Sequence, residues 1–284
     1  MSILIGLIPA LAWGLLPIAV SRAGGKPSNQ ILGTTAGTFI AALAVFLYLR
    51  PETSGKVFLV SALSGAAWVA GQVGQYHAYA KIGVSRTMPI STGLQLVGTS
   101  LIGVLAFGEW GSSSAKPIGF AALAIVVLGV CLTSIQKRDR DGTNDMPTIA
   151  LLFVTNFGYL AYSAIPDIVG ERGTAIFFPQ AAGMLGAAAA YTLFGGHACA
   201  LRERSSWKNV PSGFLFAVAA LAYIVSAQRN GIATGFVLSQ LSVVLSTILG
   251  IAFLKERKTP FELKATAVGL LLILGGAATI AFLK

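Results

Sequence analysis

Apolar residues in this 284-residue chain come in long runs rather than in the alternating or one-sided patterns of soluble strands and helices. A helix needs about 20 residues to cross a hydrocarbon core of about 30 Å, and ten runs are close to that length. They cover 3–20, 30–49, 57–80, 84–107, 117–135, 147–165, 175–195, 210–227, 232–254 and 261–283. The pattern predicts an all-α polytopic membrane protein with ten transmembrane helices joined by short polar connections. The first run has no Lys or Arg ahead of it, and its nearest basic residues, Arg22 and Lys26, follow it. That order is the reverse of a cleaved signal peptide, so the run is read as a retained first helix.

One connection is strongly hydrophilic, QKRDRDGTND from Gln136 to Asp145, and it divides the chain into two five-span blocks, 1–139 and 140–284. The blocks resemble each other. NQILGTTAG at the head of the second span aligns with PQAAGMLGA in the seventh, matching Gln30 to Gln180 and Gly33 to Gly183. LIGVLAFGEW closes the fourth span as ILGIAFLKER closes the ninth, matching Glu109 to Glu256. Five is odd, so a duplicated five-helix unit crosses the membrane in the opposite sense the second time. The expected architecture is therefore a pair of inverted repeats, the arrangement of many secondary transporters, with the substrate site between the halves.

Composition supports a membrane fold: 55% of residues are hydrophobic and 11% charged, with a mean hydropathy of +0.77. The net charge of +10 does not point to nucleic acid, because the basic residues sit in short loops rather than in one stripe. Fourteen of the twenty fall in the loops after the first, third, fifth, seventh and ninth spans, from Arg22 to Lys264. Six (Arg50, Lys56, Lys116, Arg172, Arg229, Lys284) lie on the side of the termini. Basic loops stay cytoplasmic, so both termini are expected outside the cytoplasm, in a multi-pass protein of the cell membrane.

Polar side chains inside spans usually face the bundle interior or a wet cavity. In the third span Trp68, Gln72, Gln75, Tyr76 and Tyr79 share one helical face. Ser91, Gln95 and Thr99 recur every four residues in the fourth span, and the ninth offers Ser239, Gln240, Ser242, Ser246 and Thr247. Trp13 in the first span, Asn156, Tyr159 and Tyr162 in the sixth, Gln180 in the seventh and Tyr223 in the eighth add to the set. Amides that both donate and accept, beside aromatic planes, suit a neutral polyol with flat C–H faces. A cation would call for carboxylates and a phosphate for arginines, and neither occupies mid-depth. The expected substrate-binding residues are Trp13, Trp68, Gln72, Gln75, Tyr76, Ser91, Gln95, Thr99, Asn156, Tyr159, Gln180, Tyr223 and Gln240. The same residue types also bond helices together and anchor spans at interfaces.

Pro89 is expected to start the fourth helix, with an unwound mouth at GVSRTM. Pro9 and Pro17 fall inside the first span, and Gly33 and Gly37 form a GxxxG that lets the second pack closely. The fifth and tenth spans are nearly free of polar residues and are expected to be peripheral or self-associating, which leaves a homodimer open. His77, Glu109 and Asp167 are the ionisable groups that a proton-coupled mechanism could use; Glu256 at the end of the ninth span reads as an interfacial charge. No P-loop, Cys/His metal cluster or Ser/His/Asp set is present, so neither an enzyme, a metal site nor a cofactor is expected. A lipid-modifying enzyme would need ionisable groups converging at interface depth, and an exporter of hydrophobic metabolites would have an oilier lining.

The segments GGKPSNQILGTTAGT, SGAAWVAGQVGQYHAYAKIGVSRTMPISTGLQLVGTSLIGVLAFGEW, FFPQAAGM and GFVLSQLSVVLSTILGI resemble the glucose/ribose porter family of bacterial sugar uptake proteins, within the drug/metabolite transporter superfamily. The resemblance covers essentially the whole chain. It implies a ten-helix monosaccharide importer driven by the proton gradient. The wording GVSRTMPISTGLQLVGTS is similar to the glucose-uptake branch, with ribose as the alternative substrate. The wider superfamily is often drawn with cytoplasmic termini, opposite to the orientation that the loop charges imply.

Overall fold

The structure is a computed structural model that describes residues 2–106, 110, 115–135, 145–166, 170, 173–230 and 232–283. Each of the ten runs is a helix, with ends within three residues of those read from the sequence. The helices are α1 Ser2–Ala23, α2 Pro27–Leu49, α3 Gly55–Ile82, α4 Val84–Ala106, α5 Ala115–Thr133, α6 Met146–Ala164 and α7 Thr174–Phe194. After a short α8, Arg204–Lys208, come α9 Val210–Asn230, α10 Ile232–Phe253 and α11 Pro260–Phe282. Local signals set several of the ends. The Ser54 hydroxyl accepts from Val57 N at 3.2 Å to cap α3. Thr259 and Glu262 form a reciprocal capping box on α11, which satisfies two N–H groups that the helix itself cannot.

The burial pattern is that of a protein solvated by lipid. Leu105, Phe157, Phe194, Phe253, Phe261 and Leu271 are exposed, whereas Thr34, Thr35, Ser61, Ser64, Gln72 and Gln75 are buried. Such an apolar exterior would be a liability in water; in a bilayer the helix satisfies its own backbone and the polar side chains turn inward. Eight helical segments among the described residues are long and apolar enough to cross a membrane: α1 to α5, α7, the segment Arg204–Ser226 and α11. In α6, Asn156, Tyr159 and Tyr162 dilute the apolar run, and in α10 the apolar stretch is the shorter Leu238–Phe253.

Packing is arranged across the chain's midpoint. α3 lies against α6 and α7, and α9 lies against α1 and α2. α2 also meets α7, α4 meets α10, and α5 meets α11. Glycines make the closest crossings. A Cβ at Gly183 would sit 1.8 Å from Ala62 O, and one at Gly65 1.9 Å from Gln180 O, so α3 and α7 touch backbone to backbone. The Gly33/Gly37 pair does the same for α2, where a Cβ would come 2.0 Å from Ser206 O and 2.1 Å from Val210 O respectively.

One expectation changes. α4 does not begin at Pro89: it begins at Val84, and GVSRTM is helical after Gly83, leaving Pro89 inside the helix. The fifth and tenth spans, α5 and α11, keep outward apolar faces, with Val127, Leu128 and Leu271 exposed. Their glycine faces pack on each other within the chain, a Cβ at Gly129 meeting Gly269 O at 2.6 Å and one at Gly269 meeting Gly129 O at 2.5 Å.

Connections rich in Lys and Arg gather at one end of the bundle, here termed the basic end. Asn29 Nδ2 donates to Glu203 Oε2 at 2.6 Å and Ser206 Oγ at 3.0 Å, and Asn209 Nδ2 donates to Gly24 O at 3.0 Å. Arg86 pairs with Asp145, and the Arg22 guanidinium lies 5.1 Å from the Phe253 ring centroid. The Asn29 amide, with Cys199 and Lys26 nearby, holds the Glu203 carboxyl below its ordinary value. At the other end Thr53 Oγ1 donates to Ala175 O at 3.2 Å.

Candidate functional site

α3 is long, and small residues on it bring α6 within reach. A Cβ at Gly71 would lie 2.8 Å from the Tyr159 ring, and one at Gly74 would lie 2.0 Å from Thr155 Oγ1. That approach delivers the Tyr159 hydroxyl to the two amides of α3. It is 2.9 Å from Gln72 Oε1 and 3.1 Å from Gln75 Oε1. Gln72 Nε2 donates to Gln75 Oε1 at 3.1 Å, and Gln75 Nε2 donates to Ser91 Oγ on α4 at 2.9 Å. Gln95, the middle residue of α4, also donates to Ser91 Oγ, at 3.2 Å. Five of the expected residues, Gln72, Gln75, Ser91, Gln95 and Tyr159, therefore form one network across three helices.

The network's chemistry is unbalanced in a useful way. Tyr159 has one hydroxyl hydrogen and two carbonyl oxygens within range, so it cannot serve both fully. An incoming hydroxyl group could donate to whichever oxygen is left weaker. Asn156, one turn before Tyr159 on α6, adds a buried Oδ1 with no hydrogen-bond partner, and the buried Thr247 hydroxyl on α10 likewise has none. A buried polar atom left unpaired costs about 1–3 kcal/mol, so these are groups that gain from a polar ligand.

Aromatic residues split into two groups. Trp68 is 3% exposed and packed between Tyr159 (ring centroids 6.4 Å) and Phe216 of α9 (5.0 Å). Trp13 of α1 is only partly buried and tilts 44° from Tyr223 of α9 at 5.8 Å. The second pair keeps more aromatic face available.

Other expected residues are occupied elsewhere. Tyr76 is buried with its hydroxyl 3.0 Å from Thr34 Oγ1 of α2. Gln180 of α7 donates to Ser64 Oγ at 3.0 Å, a contact between helices outside the network. Thr99 returns its hydroxyl to Gln95 O of its own helix at 2.7 Å. Gln240 is half-buried beside Ser239, 3.4 Å away. His77 is half-buried near the basic end of α3, and Glu109 and Asp167 lie outside the described residues. Among those described, no cluster of His, Cys, Asp or Glu could hold a metal ion. Two participants escaped sequence reading. Thr34 offered a signal, a hydroxyl inside a span; Phe216 offered none, being one apolar residue among many.

The chain is similar to known sugar transport proteins over nearly its whole length. The family model described as "Sugar transport protein" matches residues 4–283. A protein of Lactobacillus johnsonii provisionally named a sugar uptake protein is 47% identical over 95% of this chain and 96% of its own. One of Latilactobacillus sakei provisionally named a ribose uptake protein is 47% identical over 100% of this chain and 99% of its own. One solved crystal structure is similar over 100% of this chain and 99% of its own, with a TM-score of 0.66 and 18% identity, a likeness of fold alone. The matched relatives are transport proteins rather than enzymes, and the chain belongs to the sugar transport protein family.

Proposed function

We propose that this protein takes up a monosaccharide by alternating access, the sugar held inside the bundle by the Gln72–Gln75–Tyr159–Ser91–Gln95 network with one face against Trp13 and Tyr223. The observation that carries this reading is that network: neutral groups able both to donate and to accept, without a fixed charge, whose Tyr159 belongs to the aromatic cluster against which Trp13 packs. A monosaccharide presents both complements, hydroxyls for the amides and C–H faces for the rings. Glucose is the first substrate to test, on the resemblance of the α4 wording to the glucose-uptake branch. Ribose is the second reading, favoured by the name that the Latilactobacillus sakei relative carries.

Ten spans in two inverted halves, 1–139 and 140–284, complete the proposal. The packing supports a two-fold axis in the membrane plane. Such an axis brings counterpart spans together, as α2 meets α7, α4 meets α10 and α5 meets α11, and it repeats the α3 contacts with α6 and α7 in those of α9 with α1 and α2. The basic end would be cytoplasmic and both termini outside, in the cell membrane. The deciding experiment is uptake of labelled glucose into proteoliposomes, with unlabelled ribose, galactose or an amino acid as competitor. Competition by one sugar and not by amino acids is expected; uptake blocked equally by all, or absent for every sugar, would remove the proposal.

A further inference from the structure

The first turn of α4 is built unlike any other helix start described here. Its opening N–H groups are capped from the opposite half of the chain: Val84 N donates to Glu256 Oε1 at 2.6 Å, and Ser85 N to Glu256 Oε2 at 2.9 Å. Both carboxylate oxygens of a residue in the α10–α11 connection are thus committed to a helix 171 and 172 residues away. The carboxylate has been given room. Gly83, at φ +79°, would place a Cβ 2.8 Å from Glu256 Cδ, and a Cβ at Gly250 of α10 would come 3.3 Å from Oε2.

The same turn is tied at two further points, Arg86 to Asp145 and Thr87 to Gly83 O through both its N–H (3.1 Å) and its hydroxyl (2.6 Å), and it lies between two irregular backbone positions. Gly83 precedes it with a positive φ. Pro89 follows it with no N–H to give to the carbonyl of Ser85, so the helical ladder is interrupted at its second turn. Between these two breaks the turn carries Met88, which is buried with Ile18, Val84, Val243 and Leu270, side chains of four different helices. The Tyr79 hydroxyl contacts Met88 Sδ at 3.1 Å. Tyr79 and Met88 stand on the basic-end side of Gln75 and Ser91 in their helices, so this apolar plug separates the amide network from the basic end.

We propose that residues 84–88 are the basic-end gate of the transporter and that Glu256 is its latch: the carboxylate closes the gate by holding the turn's N–H groups, and its release lets Met88 swing out about Gly83 and Pro89. Glu256 is a positioning residue, since it touches the gate rather than the sugar. The inference rests on the alternating-access reading, yet accessibility tests it without any sugar.

The test replaces Cys131 and Cys199 by serine, introduces Met88→Cys, and follows its labelling by a membrane-impermeant maleimide applied to one face of the vesicles or the other. Cys199, exposed near the basic end, marks that face when it is the sole cysteine. Loss of two charge-assisted hydrogen bonds in Glu256→Ala should speed labelling from the basic end by about tenfold or more. Glu256→Gln keeps one acceptor oxygen and should fall between; it decides alone if Glu256→Ala fails to accumulate. Labelling at the parent's rate would overturn the latch. A rise that is equal from both faces would also overturn it, because that marks a loosened fold. Failure of sugar uptake with a one-sided rise would strike the transport reading and leave the latch standing.

Discussion

At the scale of single residues, Tyr159 outranks the amides as the point on which the candidate site turns. Its hydroxyl reaches both Gln72 and Gln75, whereas Gln95 joins the network through Ser91. Tyr159→Phe removes that donor while keeping the ring packed on Trp68. Leaving a buried carbonyl underserved costs about 1–3 kcal/mol, so sugar uptake should fall about tenfold or more while the protein stays in the membrane. If the network only glues helices, the variant will instead lower the melting temperature with KM unchanged. Gln95→Ala is expected to weaken uptake too, and unchanged transport kinetics in that variant would remove Gln95 from the site. Both measurements are initial rates in proteoliposomes at matched protein content.

At the scale of helices, backbone contact through glycine decides what the fold tolerates. Gly183→Ala would drive a methyl group into Ala62 O, 1.8 Å away, with carbonyl and helix on the far side and no flexible side chain to give way. Marked thermal destabilisation in detergent is expected. Gly186→Ala, three residues on with nothing within 4 Å, should be neutral or gain about 0.5–1 kcal/mol from helix propensity; equal melting temperatures for the two variants would contradict the crossing. A second effect depends on pH. Because Asn29 depresses the Glu203 carboxyl, its contribution is present above the ordinary 4.5 and is lost as pH falls below that value through the lowered one. Acidification over that range should therefore lower the melting temperature less in Glu203→Gln than in the parent. The helices themselves were legible in the sequence, because membrane-length apolar runs depend on local composition alone. The misplaced start of α4 shows the limit. Pro89 carries a local signal for a first turn, but the cap that starts the helix at Val84 comes from Glu256, and no local pattern announces a partner 172 residues away. For the same reason the polar face of α3 could be read from spacing, while the meeting of Gln72 with Tyr159 and of Trp68 with Phe216 could not.

At the scale of the whole molecule, the charge at the two ends of the bundle bears on how the protein sits, and the ionisable groups on what drives it. The basic connections that converge at one end favour cytoplasmic placement of that end, so a carboxy-terminal reporter that works only in the cytoplasm should stay dark; a signal would reverse the orientation. Energy coupling follows from the position of ionisable groups relative to the network. The network residues themselves carry no charge, so a proton cannot be exchanged directly for the sugar at the amides. It would have to act through the helix that bears them. His77 is placed for that, two residues beyond Gln75 on α3, and its imidazole is a side chain that can take up and release a proton. An inward proton gradient should accelerate sugar uptake into vesicles, and His77→Gln should abolish the acceleration while sparing exchange of labelled for unlabelled sugar, which needs no net proton movement. A gradient response that survives in His77→Gln would move the coupling site to a carboxylate, with Glu109 and Asp167 next to be tested. Equal rates with and without the gradient in the parent would make the protein a facilitator. Its direction would then be set by the sugar gradient alone, and the basic-end gate would open in response to the sugar rather than to a proton.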